Sequence, residues 1–385
     1  MSTSHDAIII GAGSVGLPTA LAMAEAGLDI LVLDRAASPG QGSHKAAIGG
    51  VRATHSDPAK IRLCLRSLEI FRNWHVIYGQ DIQWIQGGYT FVAYREREAR
   101  LLRALLTDQQ HQSLNIRWLN RPALLEVMPN LNPEGLLGGT FSPEDGHCST
   151  LLAGHAFYAE ARRAGAVFRF GEEALTILRH GDAVTGVVTD RGTYTAPVVI
   201  NAAGAWARNV GTMADESHPI TPDTHEAGIT EPVAQLLQPL VVDIRPDSFS
   251  ANCYFFQLAS GQVVFCLTPD PPLPGFDCRE TSTFLPLVSR RMIALVPRFT
   301  HLRVRRTWRG LYPMTPDGLP LIGWSPYLQG YLLAGGMCGQ GFMLGPGVGE
   351  LLARMVTHAP LSLDDEQILS DLSPYRQFDG QEMLR

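Results

Sequence analysis

A chain of 385 residues that is 45% apolar and 18% charged can bury a sizeable core and exceeds one ordinary domain, so two domains are expected. The net charge of −6 excludes the basic footprint of a nucleic-acid binder. Six cysteines without a C-x-x-C pair give no metal or iron–sulfur framework, and no apolar run is long enough to span a bilayer, so a cytoplasmic chain without a transmembrane segment or metal is expected.

In chain order, Asp6–Ile10 reads as a buried parallel strand, followed by Gly11-Ala12-Gly13-Ser14-Val15-Gly16 and an Ala-rich helix over Leu17–Ala26 that Gly27 closes. Leu28–Leu33 is a second strand ending on Asp34. Pro39–Gly50 reads as a loop, Asp57–His75 as a helix with Pro58 near its start, Gly87–Tyr94 as a strand and Arg95–Gln110 as a helix. Leu151–Ala164 is a further helix and Gly165–Phe170 a strand. Ala183–Thr189 and Gly192–Ala196 form a hairpin, and Val198–Asn201 is a short strand running into Ala202-Ala203-Gly204. From about 215 to 310 the pieces are strand-like, notably Cys253–Leu258 and Val263–Leu267. Tyr331–Ala334 is a strand, followed by a glycine-rich loop and a helix over Phe342–Thr357.

Three motifs carry chemistry. In the first, Gly11 permits a tight bend out of the strand, Gly13 lets backbone approach a pyrophosphate, and Gly16 lets the helix pack on the sheet. The helix start, including Ser14, presents N–H groups to phosphates, and Asp34 is placed to take both ribose hydroxyls, with Arg35 beside it. The second motif is Val199–Trp206, where small residues such as Ala203 and Gly204, with Trp206 after them, let backbone lie close to a cofactor. The third is Thr315–Gly323 with Gly335–Phe342, again strand through glycines to helix. No second G-x-G-x-x-G is present, which argues against a reductase with its own NAD(P)H turn.

The order of these motifs resembles the D-amino-acid oxidase superfamily of FAD-dependent amine oxidoreductases, closest to the sarcosine oxidase β-subunit, dye-linked L-proline dehydrogenase β-subunit and glycine oxidase group. The matching pieces are Gly11–Gly16 with Asp34, His44–His55, Val199–Trp206, Gly310–Gly323 and Gly335–Glu350, so the resemblance runs over nearly the whole chain. It implies an α/β fold: a Rossmann-like FAD-binding domain (1–80, 150–215 and 311–385) interleaved with an antiparallel-sheet substrate domain (81–149 and 216–310).

The resemblance further implies that the loop carrying His44, Lys45, Gly49, Gly50 and Arg52 runs along the flavin. Arg52 would be a cation near the ring; His55 is the less distinctive neighbour, and a polar histidine with its bonds satisfied is the plainer role. Gly310 and the stretch Gly339-Gln340-Gly341-Phe342-Met343 would lie at the flavin edge, with the helix N-terminus toward the ring. Relatives hold a substrate carboxylate with a lysine at the place of Met343 or an arginine at the place of Tyr312. Both clamps are missing here, so either Arg52, Tyr254 or another group replaces them or the substrate is not a simple amino acid. No cysteine occurs in Trp308–Tyr312 to tether the cofactor, so FAD is expected to be non-covalent; Thr150 stands where relatives attach FMN to a histidine, with His147 nearby.

The expected reaction is oxidation of a CH–NH bond of a small amine or amino acid to an imine. The alternatives are a 2-hydroxy-acid dehydrogenase, with His225 or His55 as base, and a flavin subunit of a larger electron-transfer complex. The only lysines are Lys45 and Lys60, so a substrate-domain lysine that promotes reaction with oxygen is missing. A dehydrogenase passing electrons to a quinone or a partner subunit is therefore expected.

Overall fold

A computed structural model describes residues 3–384. The first large sheet has six strands in the order Leu321–Trp324, Tyr331–Gly335, Val198–Asn201, Ala7–Ile10, Ile30–Asp34 and Val167–Phe170. Its pairs are parallel except the one between Leu321–Trp324 and Tyr331–Gly335. The strand Ala7–Ile10 is buried throughout, as a parallel strand covered on both faces must be, and that is why its sequence is an unbroken apolar run. Ile9, Val32 and Leu332 face helices Gly16–Glu25, Pro58–Tyr78, Thr150–Arg163 and Gly341–Val356. Ile8, Ile10 and Leu31 face the other way, onto Ile177, Val184 and Val187 of a smaller four-stranded sheet.

The second large sheet has eight strands: Val304–Met314, Thr221–Thr230, Val263–Pro269, Ser250–Gln257, Leu240–Asp243, Tyr89–Ala93, Gly138–Ser142 and Arg117–Asn120. One face packs Val241 and Phe255 against Val288, Met292 and Leu295 of helix Phe284–Leu295. The opposite face, with Tyr89 and Tyr254, is turned toward the cavity described below.

The mixed α/β architecture, with a parallel and an antiparallel sheet, is the one the sequence implied. Three features differ. Leu240–Asp243 pairs parallel to Tyr89–Ala93, so the second sheet is not wholly antiparallel. The strand Ala174–His180 pairs with Ala183–Thr189 and adds a member to the expected hairpin. Helix Phe284–Leu295 lies in a stretch read as strand-like. Its Pro286 falls in the first turn, where an absent N–H costs little.

Among the described residues no helix is long and apolar enough to cross a membrane, and no cluster of His, Cys, Asp and Glu has the form of a metal site.

Candidate active site

The carboxyl ends of the parallel strands, at Ile10, Leu33 and Ala334, open into one cavity of about 780 Å³ that reaches across to the second sheet at Tyr254 and Cys266. Ligands of open α/β sheets bind at this end, where neighbouring connections diverge.

At one end the glycine turn sets the geometry. Gly11 has φ +111°, and a Cβ there would stand 2.5 Å from the carbonyl oxygen of Ala202. A Cβ on Gly16 would stand 1.8 Å from the Gly11 carbonyl oxygen, so Gly16 serves packing and does not itself line the cavity. Gly13 is different: a Cβ there meets nothing within 4 Å, and the residue borders open cavity. The helix that follows has no side-chain cap, but Leu17 N–H already donates to the Gly13 carbonyl and Pro18 has no N–H, so only the turn N–H groups before Leu17 can meet a ligand. Asp34 accepts from the N–H groups of Ala12 and Ala36, both at 2.8 Å, which fixes its carboxylate at the cavity wall. Arg35 lies 4.2 Å over the ring of Trp206, beside Ala203 and Gly204.

Midway, His44 is clamped. Its Nε2 donates to the Thr150 carbonyl at 2.8 Å, and its Nδ1 accepts from the Ser14 hydroxyl at 2.9 Å. Burial holds its pKa below the ordinary histidine value, which fits a neutral ring with one donor and one acceptor. Gly49 and Gly50 continue the wall; a Cβ on Gly49 would stand 2.2 Å from the Cys148 carbonyl oxygen, and one on Gly50 would stand 2.3 Å from the Tyr89 hydroxyl. Lys45 of the same loop is exposed, donates to Gln41 and lies outside the cavity lining.

At the far end, Gly310, Gly339, Gly341, Phe342 and Met343 approach the chamber. Gly339 has φ +80°, and a Cβ on it would meet the Tyr312 ring at 1.8 Å. Gln340 caps helix Gly341–Val356 without a side-chain bond; it is buried behind the lining, and its Oε1 has no partner among the described residues. Tyr254 faces the cavity, and its hydroxyl is 2.9 Å from that of Tyr312. Burial raises both phenols well above the ordinary tyrosine value, so both remain protonated donors. His225 lines the same end.

Arg52 and His55 do not line the cavity, which corrects their expected place at the reacting centre. Both are buried behind the wall. Arg52 donates to the Thr54 carbonyl, to His55 Nδ1 at 3.1 Å and to the Leu384 carbonyl at 2.6 Å. Burial, with Arg52 and Lys60 nearby, holds the His55 pKa well below the usual value. Lys60 pairs with Glu382 at 2.9 Å, both side chains fully buried. Arg52 is the hub of a structural cluster, and its partners on the C-terminal segment carry no local sequence signal.

The cavity therefore offers two helix starts without side-chain caps, a carboxylate fixed at its wall and glycines where side chains would obstruct. This donor set fits an extended dinucleotide such as FAD. Tyr312 and Asp223 were not singled out as site residues by the sequence. Tyr312 stood out only as an absent arginine. Asp223 could have been found from its spacing, since residues two apart on a strand share a face with each other, here with His225.

A family model described as FAD dependent oxidoreductase, DAO, matches residues 6–355. Glycine oxidase of Geobacillus kaustophilus is 27% identical over 373 residues, covering 94% of this chain and 96% of that protein. Hydrogen cyanide synthase subunit HcnC of Pseudomonas protegens is 28% identical over 306 residues, covering 78% of this chain and 71% of the relative. Among solved structures, L-proline dehydrogenase from P. horikoshii superposes with a TM-score of 0.90 at 28% identity, over 98% of both chains.

Proposed function

This chain belongs to the FAD dependent oxidoreductase family, and from that premise we propose that it dehydrogenates a small amine or amino acid at the carbon bearing nitrogen. The observation that carries the reading is the make-up of the inner chamber. It is lined by Tyr254, Tyr312, His225 and Met343, and among the described residues no lysine or arginine lines that end. Such a chamber suits a compact polar substrate held by hydroxyl groups, without a cationic clamp. Relatives named for glycine and for L-proline support the substrate class.

FAD, when bound, supplies the two-electron acceptor. Gly13, Ser14 and the helix start would hold its pyrophosphate, Asp34 its ribose, and the Gly339–Met343 turn its ring. The chain's own work is to orient and to dry. Of the hydrogen-bonded Tyr254–Tyr312 pair, the hydroxyl whose proton is not spent on its neighbour donates to a polar atom of the substrate. His225 Nδ1 accepts an N–H of the substrate and so favours the neutral amine that gives up hydride. With Met343 and Phe342 the chamber excludes water.

The absence of a cavity lysine supports a dehydrogenase over an oxidase: Lys45 is exposed outside the lining and Lys60 is tied to Glu382. The relative named as a subunit supports assembly with a partner protein. Non-covalent attachment is supported by the lack of a cysteine in Trp308–Tyr312.

The test is anaerobic bleaching of the yellow protein with sarcosine, L-proline, glycine, D-amino acids and 2-hydroxy acids. Bleaching by an amine is the expected result; bleaching by hydroxy acids alone overturns it. The hydroxy-acid reading has one observation in its favour, since a histidine backed by a carboxylate, as His225 is by Asp223, suits abstraction of an alcohol proton.

A further inference from the structure

Asp223 and His225 project from the same face of strand Thr221–Thr230. The His225 side chain is 9% exposed and its ring centroid lies 3.7 Å from that of Tyr312. Its Nε2 is 3.3 Å from Asp223 Oδ2, while its Nδ1 is buried and has no hydrogen-bond partner among the described residues. A carboxylate only accepts, so Asp223 fixes the proton on Nε2 and leaves Nδ1 as a buried acceptor without a partner among the described residues.

The other oxygen of Asp223 is engaged elsewhere. Oδ1 accepts from the Leu273 N–H at 2.7 Å and from the Thr224 N–H at 2.8 Å. Leu273 belongs to the exposed connection between strand Val263–Pro269 and helix Phe284–Leu295. That connection is fastened again where Thr281 donates twice to Glu226, at 2.7 and 2.6 Å. Between the two fastenings Phe276 stacks on Trp206 at 5.4 Å, and Trp206 is a cavity-wall residue contributed with the first sheet. The connection therefore bridges the two sides of the cavity, and Asp223 is its inner anchor.

We propose that Asp223 is a positioning residue that couples the seating of the 271–283 connection to the readiness of His225 to accept the substrate N–H. The proposal rests on the reading of His225 as a substrate-facing acceptor. Lifting Leu273 rehydrates Oδ1 and frees the carboxylate to rotate, and His225 then loses the partner that fixes its proton. Burial alone would raise the Asp223 pKa, but His225 and the backbone N–H donors outweigh it and keep the carboxylate ionised. The other groups facing His225 are Arg309 of the adjacent strand, which opposes protonation of the ring, and the uncharged Tyr312. Tyr254 stands behind Tyr312.

The experiment uses the full FAD-loaded chain and three variants, Asp223→Ala, Asp223→Asn and His225→Asn. Asp223→Ala removes both bonds, whereas in Asp223→Asn the amide oxygen can keep Leu273 while the NH₂ group opposes the Nε2 proton. Limited trypsin cleavage after the exposed Arg279 reads the connection. Asp223→Ala should speed that cleavage about tenfold, and Asp223→Asn should leave it within about twofold of the parent. Both should lower kcat/KM for the fastest of sarcosine, L-proline and glycine by about tenfold or more, and Asp223→Asn should shift the acid limb of its pH profile. Unchanged cleavage in Asp223→Ala, or an unchanged kcat/KM and pH limb in Asp223→Asn beside a damaged His225→Asn, overturns the coupling alone. A silent His225→Asn overturns the reading of the site, and the coupling with it.

Discussion

The Tyr254 hydroxyl lies 2.9 Å from the Tyr312 hydroxyl, and both line the inner chamber in place of an arginine or lysine. Each phenol has one proton, so in the pair one donates to the other and the second proton is free for a ligand. Tyr254→Phe should lower kcat/KM with the amine substrate about tenfold, mostly through KM, as should Tyr312→Phe. The double variant should lose less than the product of the two, because the residues share one bond. Steady-state kinetics on the three variants decide it; if Tyr254→Phe leaves both KM and kcat unchanged, the assignment is wrong.

Gly13 borders empty cavity, and a side chain there would fill the space a pyrophosphate needs. Gly13→Leu should fold yet be purified colourless. The ratio of visible to ultraviolet absorbance, with circular dichroism to confirm folding, is the measurement. Acid precipitation of the parent should release all of its FAD into the supernatant; colour retained in the pellet would contradict a non-covalent cofactor.

The oxygen reaction should be slow. With Lys60 held by Glu382 and Lys45 outside the lining, no ammonium stands at the cavity wall to stabilise superoxide. Stopped-flow reoxidation of the substrate-reduced protein in air-saturated buffer should be far slower than turnover with an artificial dye. Reoxidation that keeps pace with turnover would make the protein an oxidase.

Asp145 provides a pH test of stability. It is fully buried, and burial raises its pKa from 3.8 to about 6 despite bonds from the Ala53 N–H and the Thr54 hydroxyl. A carboxyl raised on folding contributes stability that is fully present below its unfolded pKa and is lost as pH rises through the folded one. The loss, centred between about pH 4 and about pH 6, is on the order of 3 kcal/mol. Asp145→Asn keeps acceptor and shape without ionising. Its stability relative to the parent should therefore grow from about pH 4 to about pH 7. Urea melts at several pH values check this, and a constant difference across that range would refute it.

The parts of this site that are backbone requirements were legible in the sequence. Gly11, Gly13 and Gly16 announce themselves because no other residue fits the bend, the open approach and the contact with Gly11. Asp34 follows from its distance along the chain. Arg52 was not legible as a buried hub, because its partner Leu384 is 332 residues away and local pattern carries no long-range pairing. The helix Phe284–Leu295 had a signal, with Phe284, Val288, Met292 and Leu295 four, four and three apart, but Pro286 and the surrounding strands obscured it. Tyr312 shows the limit of reading by what is missing: the sequence said no arginine, and only the fold shows which hydroxyl it meets.

The cavity wall begins at Ile10 and closes at Met343. During synthesis the first strand can pair at once with Ile30–Asp34, but its other neighbour, Val198–Asn201, emerges far later. The helix start that completes the far end emerges later still. A ribosome-bound chain halted before Gly339 has the glycine turn and Asp34 but lacks the far wall of the cavity, so the cavity can be completed only after Gly339–Met343 has emerged. Until then the apolar faces of two unfinished sheets are open to the cytosol of the producing cell, and this is the stage at which chaperone supply and flavin supply would govern yield.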